Sequence, residues 1–294
     1  MATIALLCVL RRGCELQLTA QVSFPRTRFA ALSFRCRLSS LTRVRDASPR
    51  SGSFFLRREH HPYWFERGLD LCSQAYARHF LHPQFDALGP NAQFAGVRHI
   101  IVQGPAIRAG CDLHVFAAPH APVSLCVNPY QGGDGHISIG DYCVLSPGTQ
   151  LRSAIGIEIG NNCMLAEGAF ITDADWHDSY HRIFPGKRAR VRLEDNVWLG
   201  HGVTVCKGVT IGENSIIGAA SVVTRDVPAN TIAAGNPAKA IGALDPTAEH
   251  STRKDLFVGP RPYADFKGEY DRARLQGNSL VGFVLSLLWP TKRS

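Results

Sequence analysis

From Ile101 to Val223 an aliphatic residue returns at every sixth position in four runs: Ile101, Ile107 and Leu113; Ile139, Leu145 and Leu151; Ile159, Leu165 and Ile171; Leu193, Leu199, Val205, Ile211, Ile217 and Val223. A period of six fits neither a helical turn of about 3.6 residues nor the two-residue alternation of an ordinary strand. It fits a chain that lays down a short strand, turns and repeats, with three such sides closing one coil. The aliphatic residue points inward, and a continuous apolar column forms only when coils stack. Small residues often lie four places after it, as at Cys111, Cys143, Thr149, Cys163, Ala169, Ser215 and Ser221. Corner sequences such as Gly160-Asn161-Asn162 and Gly212-Glu213-Asn214 suit the positive φ of tight turns. The expected fold is therefore all-β, a parallel β-helix with short flanking helices.

The register breaks twice. Residues 119–138 interrupt one coil, and residues 173–192 (DADWHDSYHRIFPGKRARVR) form a long excursion between the hexads ending at Ile171 and starting at Leu193. Long loops thrown out of a regular scaffold are where binding and catalysis concentrate.

Four regions follow. Residues 1–58, rich in Arg and Ser, read as a basic, disordered leader outside the fold. Residues 59–100 read as a helical segment, because Phe65, Leu69, Cys72, Tyr76 and Phe80 recur at helical spacing. The coils are assigned to residues 101–243, and residues 244–294 to a C-terminal extension ending in the apolar stretch Val281–Trp289, with Lys292 and Arg293 beyond it. That stretch is shorter than the roughly 18 residues a spanning helix needs. It reads as a terminal helix packed on the body or on a neighbouring subunit, or as a weak membrane-surface contact.

The net charge of +8 is concentrated in the leader: residues 1–60 hold 11 Lys/Arg against 3 Asp/Glu, whereas residues 61–294 hold 21 of each. A neutral body lacks the basic footprint of a nucleic-acid binder, so no nucleic-acid partner is expected. The nine cysteines include no close CxxC pair, and several fall at small-residue positions of the repeat. They outline neither a zinc site nor a disulfide framework, no metal is expected, and a reducing cytoplasm fits.

The string LEDNVWLGHGVTVCKGVTIGENSIIGAASVVTRDVPANTIAAGNPAKAI, from Leu193 to Ile241, resembles the hexapeptide-repeat acyltransferases, in particular the maltose, galactoside and nodulation-type O-acetyltransferases. The resemblance covers roughly residues 137–243. It implies a left-handed β-helix, a homotrimer with each active site between neighbours, and acetyl-CoA as co-substrate. The implied reaction is acetyl transfer to a hydroxyl or amine of a small, sugar-like acceptor.

By the same resemblance His177 matches the family's catalytic histidine, which takes the proton of the attacking acceptor; His181 is the fallback base. Asp173 or, preferably, Asp175 would orient the imidazole. Trp198 and His201 would line the pantetheine channel, Ala219 would offer backbone groups to it, and Thr224, Arg225 and Lys239 would meet the nucleotide and its phosphates. Two departures stand out. Gly242 occupies a position where the sugar acetyltransferases carry a second basic residue, and the nearest equivalent of their acceptor-binding Asn is Ser153. Two other readings share the scaffold. A γ-class carbonic anhydrase would need H-x4-H, but Arg182 stands where the second His would fall. The other is a catalytically inactive β-helix subunit.

Overall fold

The computed structural model describes residues 4–10, 16–22, 32–35, 59–129, 135–258 and 263–288. Residues 1–56 form a unit of their own. Its described part is an antiparallel meander of β1 (Ile4–Leu10), β2 (Leu16–Val22) and β3 (Leu32–Arg35), and the rest of the basic leader lies outside the described residues.

In the second unit, α1 (Tyr63–Tyr76) continues through a π turn, Ala77–Leu81, into six coils. Each coil places one strand on each of three faces. Face 1 is β4 (Ala87–Leu88), β7 (Ile107–Ala109), β10 (Ile137–Ile139), β13 (Ile157–Ile159), β16 (Val191–Leu193) and β19 (Thr210–Ile211). Face 2 is β5 (Gln93–Ala95), β8 (His114–Phe116), β11 (Val144–Leu145), β14 (Met164–Leu165), β17 (Trp198–Leu199) and β20 (Ile216–Ile217). Face 3 is β6 (Ile100–Gln103), β9 (Val123–Val127), β12 (Gln150–Ser153), β15 (Phe170–Thr172), β18 (Thr204–Val205) and β21 (Val222–Val223). Neighbouring coils pair in parallel throughout, and the stack is a left-handed β-helix. Face 2 then gains β22 (Thr231–Gly235), which turns back as β23 (Ala238–Ala243).

The columns explain the sixfold period. Leu145, Leu165, Leu199 and Ile217 stack on face 2, and Leu125, Leu151, Ile171, Val205 and Val223 on face 3, all with essentially no exposed surface. Burying each such side chain stabilises the fold by about 1.5–3 kcal/mol. At the corner between faces 1 and 2, Asn196, Asn214 and Asn230 hold φ of 57°, 60° and 55°. Asn tolerates that region, and here the side chains form a ladder, Asn196 Nδ2 donating to Asn214 Oδ1 (2.9 Å) and Asn214 Nδ2 to Asn230 Oδ1 (3.1 Å).

The first coils depart from the expected register. The stack begins at Ala87 rather than at Ile101, because Leu88 and Phe94 are already column residues and only the short 3-10 turn Val97–His99 hides the period. Ile101 is exposed, and Val102 lies beneath Leu125 in its place. Ile107 and Leu113 are buried, but Ala109 and Val115 lie beneath Ile139 and Leu145. Residues two apart on a strand share a face, so both point inward and a period of six cannot choose between them. The interrupted segment 119–138 contains a regular strand, β9.

The described part of the C-terminal extension runs back along face 2. Phe257, in α2 (Asp255–Val258), packs on His114 and Tyr142, and Lys267, in α3 (Tyr263–Arg274), pairs with Asp70 of α1 at 3.0 Å. Phe283, in α4 (Leu280–Leu288), meets Phe65 at 5.4 Å between ring centroids. Among the described residues no helix is long and apolar enough to cross a membrane.

Candidate functional site

The excursion at 173–190 leaves the corner between faces 3 and 1, joining β15 to β16. Its foot is zipped by backbone bonds: Asp175 N–H donates to Lys187 O (2.8 Å), Gly186 N–H to Asp175 O (2.9 Å) and Ala189 N–H to Asp173 O (2.9 Å). A Cβ at Gly186 would meet His177 O at 2.6 Å, so this crossing requires glycine. Nearer the tip, Asp178 N–H donates to Phe184 O (2.8 Å), and Asp178 Oδ1 accepts from the N–H groups of Tyr180 and His181 (2.9 Å each). Those bonds, His181 first, hold the Asp178 carboxyl below the usual carboxylate range.

His177 is exposed on this loop, with Nδ1 2.7 Å from Arg182 O. A carbonyl only accepts, so the neutral ring carries its proton on Nδ1 and keeps a free lone pair on Nε2. The imidazole thus bonds to a main-chain carbonyl, and neither Asp173 nor Asp175 bonds to it. Asp175 Oδ1 instead accepts from Lys207 Nζ at 2.8 Å. Asp173 is fully buried and accepts from Ser153 Oγ (2.8 Å) and from the N–H groups of Ala154 (2.7 Å), Ile155 (2.9 Å) and Gly156 (2.6 Å). It caps the corner one coil below, where two extra residues lengthen the turn. Ser153 is likewise fully buried.

The other candidates fall in two places. Thr224 and Arg225 lie at the corner between faces 3 and 1, the corner that carries His177, and are exposed. Trp198 projects outward from face 2, 45% exposed. His201 and Ala219 occupy the corner between faces 2 and 3, where Ala220 N–H donates to His201 O at 2.7 Å. A Cβ at Gly200 would meet Ala219 N at 2.8 Å, so the two coils can stack this closely only with glycine there. Lys239 extends face 2 on β23 and is exposed. In a three-sided prism the corner between faces 3 and 1 lies opposite face 2. One chain therefore keeps His177 and Trp198 on opposite sides.

The sequence reading missed Lys207, Thr172 and Trp176. Lys207 sits one coil above the loop at the same corner, which its place after Val205 in the hexad register would reveal. Trp176 Nε1 donates to Thr172 Oγ1 at 3.2 Å, tying the indole to the last strand before the loop. The contact of the Arg182 carbonyl with His177 has no sequence signal, since every residue has a carbonyl. Among the described residues, no group of three or more His, Cys, Asp or Glu side chains is arranged to hold a metal ion.

A family model described as bacterial transferase hexapeptide (six repeats) matches residues 190–225, and one described as hexapeptide repeat of succinyl-transferase matches residues 137–173. The galactoside O-acetyltransferase of Escherichia coli (strain K12) is 35% identical over 110 residues, covering 35% of this chain and 51% of that protein. That of Lactococcus lactis subsp. lactis is 43% identical over 88 residues, covering 28% of this chain and 40% of that protein. A solved maltose O-acetyltransferase from Clostridium difficile 630 is 29% identical, with 54% of this chain and 66% of that one covered at a TM-score of 0.29. The coils thus carry the hexapeptide repeats of the bacterial transferases, and the chain resembles the hexapeptide-repeat acyltransferases, the galactoside O-acetyltransferases among them. It spans about half or less of the length of these two curated relatives.

Proposed function

We propose that this protein transfers an acetyl group from acetyl-CoA to a hydroxyl or amine of a small, sugar-like acceptor, at a site completed by a second copy of the chain. The carrying observation is the Nδ1 contact of His177 with Arg182 O, which leaves Nε2 as a free base at the exposed face of the loop. In the reaction Nε2 takes the acceptor proton while the acceptor oxygen or nitrogen bonds to the thioester carbonyl carbon. The C–S bond then breaks, and the imidazolium returns its proton to the CoA sulfur. No covalent enzyme intermediate is required.

The opposition of His177 and Trp198 across the prism supports a shared site, with the loop of one copy facing the Trp198 face of the next. A closed threefold ring satisfies that pairing for every copy. Trp198 and His201 then flank the pantetheine arm, Ala219 offers it backbone, and Thr224, Arg225 and Lys239 meet the nucleotide and its phosphates. The galactoside O-acetyltransferases among the relatives favour a sugar-like acceptor. Calorimetric titration of acetyl-CoA tests the donor half. Saturable binding that weakens at least tenfold in Arg225→Ala and Lys239→Ala is expected, and no binding to the folded chain would reject the reading.

A further inference from the structure

α4 is built the wrong way round for a helix bathed in water. Its half-buried positions are Gly282, Phe283 and Ser286, while Val281, Leu287 and Leu288 are 64–69% exposed and Leu280, Val284 and Leu285 are 44–50% exposed. A surface helix ordinarily turns its small and polar residues outward. This helix is pinned in that attitude. The Phe283 ring lies 5.4 Å from that of Phe65 and 6.0 Å from that of His61, and Asn278 Nδ2 donates to the carbonyls of Glu59 (2.6 Å) and His61 (3.0 Å) just before the helix begins. Beside it on α1, Trp64 is 60% exposed, its ring 6.0 Å from that of Phe65.

Charge identifies the occupant. Residues 272–294 include no acidic residue, whereas Trp289 directly follows α4 and Lys292 and Arg293 come just after. A second copy would offer these cations no carboxylate from its own residues 272–294; an anionic lipid surface would meet them with the opposite sign, and interfacial Trp residues suit its headgroup layer. We propose that α4, with Trp64, lies in the surface plane of a bilayer containing anionic phospholipid. At about 1.5 Å per residue its nine residues span about 14 Å, half of a hydrocarbon core of about 30 Å, so it lies along the surface rather than through it.

The test is flotation of the 294-residue chain with vesicles of phosphatidylcholine alone and with about 30% phosphatidylserine, at low and high salt. The expected result is flotation with the anionic vesicles that declines with salt. In the double variant Leu287→Glu, Leu288→Glu the floated fraction should fall at least tenfold with the thermal unfolding midpoint unchanged, because both side chains already face solvent. No flotation with either vesicle overturns the proposal, as does equal flotation of the double variant. A wild-type chain that stays unbound while the double variant loses mass in sedimentation also overturns it and assigns the patch to a second copy.

Discussion

Lys207 Nζ lies 2.8 Å from Asp175 Oδ1, tying the foot of the His177 loop to the coil above it. The two side chains are 29% and 49% exposed, so the pair is worth at most about 1 kcal/mol of stability. Asp175→Asn should leave the unfolding midpoint nearly unchanged and lower turnover about three- to tenfold by loosening the loop. Asp175 bonds to Lys207 rather than to the imidazole, so a loss of turnover beyond about a hundredfold would return the carboxylate to the histidine.

Asp173 predicts the reverse pattern. Its carboxylate satisfies three backbone N–H groups and a hydroxyl at a closed corner. Leaving such donors without a partner costs about 1–3 kcal/mol each. Asp173→Ala should therefore lose at least about 3 kcal/mol in urea unfolding. A loss of turnover with unchanged stability would place Asp173 in the chemistry instead.

His114 makes the C-terminal arm sensitive to acid. Its ring is buried against Phe257 and Tyr263, with Nε2 lacking a hydrogen-bond partner, and burial, aided by the charge of Arg253, lowers its pKa to about 4. The unfolded chain takes up this proton near pH 6.5, before the folded chain does. Stability is thus full above that pH and falls as pH drops from about 6.5 towards 4, by on the order of 3 kcal/mol. Urea midpoints at pH 7.5 and 4.5 should show this slope in the wild type and a much smaller one in His114→Phe. Equal slopes would remove His114 as the cause.

A site shared between copies predicts complementation. His177→Ala and Trp198→Ala should each be nearly inactive alone. Co-expressed, random pairing should give about a quarter of the sites an intact loop facing an intact Trp198 face. Mixed preparations should recover that share of turnover, and absence of recovery would confine the site to one chain.

Much of this was legible in the sequence because coil stacking is a local, periodic demand. Leu145, Leu165 and Leu199 must each lie above their predecessors, and the hexads say so directly. The register of Ile107 and Leu113 was not legible, because alternation within a strand buries two residues where the period marks one. Asp173 and Asp175 look alike in DADW, and only the fold turns one into a closed corner and the other towards Lys207. The seating of residues 253–258 on the coils rests on contacts such as Arg253 Nε with Tyr142 O and Lys254 N–H with Asn162 Oδ1, distant in sequence and carried by no motif.

The most direct test is CoA release from acetyl-CoA over a panel of hexose and amino-sugar acceptors, with the wild type and His177→Ala compared at equal acetyl-CoA occupancy. Acceptor-dependent release that falls by a factor on the order of 10²–10⁴ in the variant, with acetyl-CoA affinity unchanged, is the predicted result. Equal release by the two proteins, or none from the wild type with any acceptor, would contradict His177 as the base of an acetyl transfer.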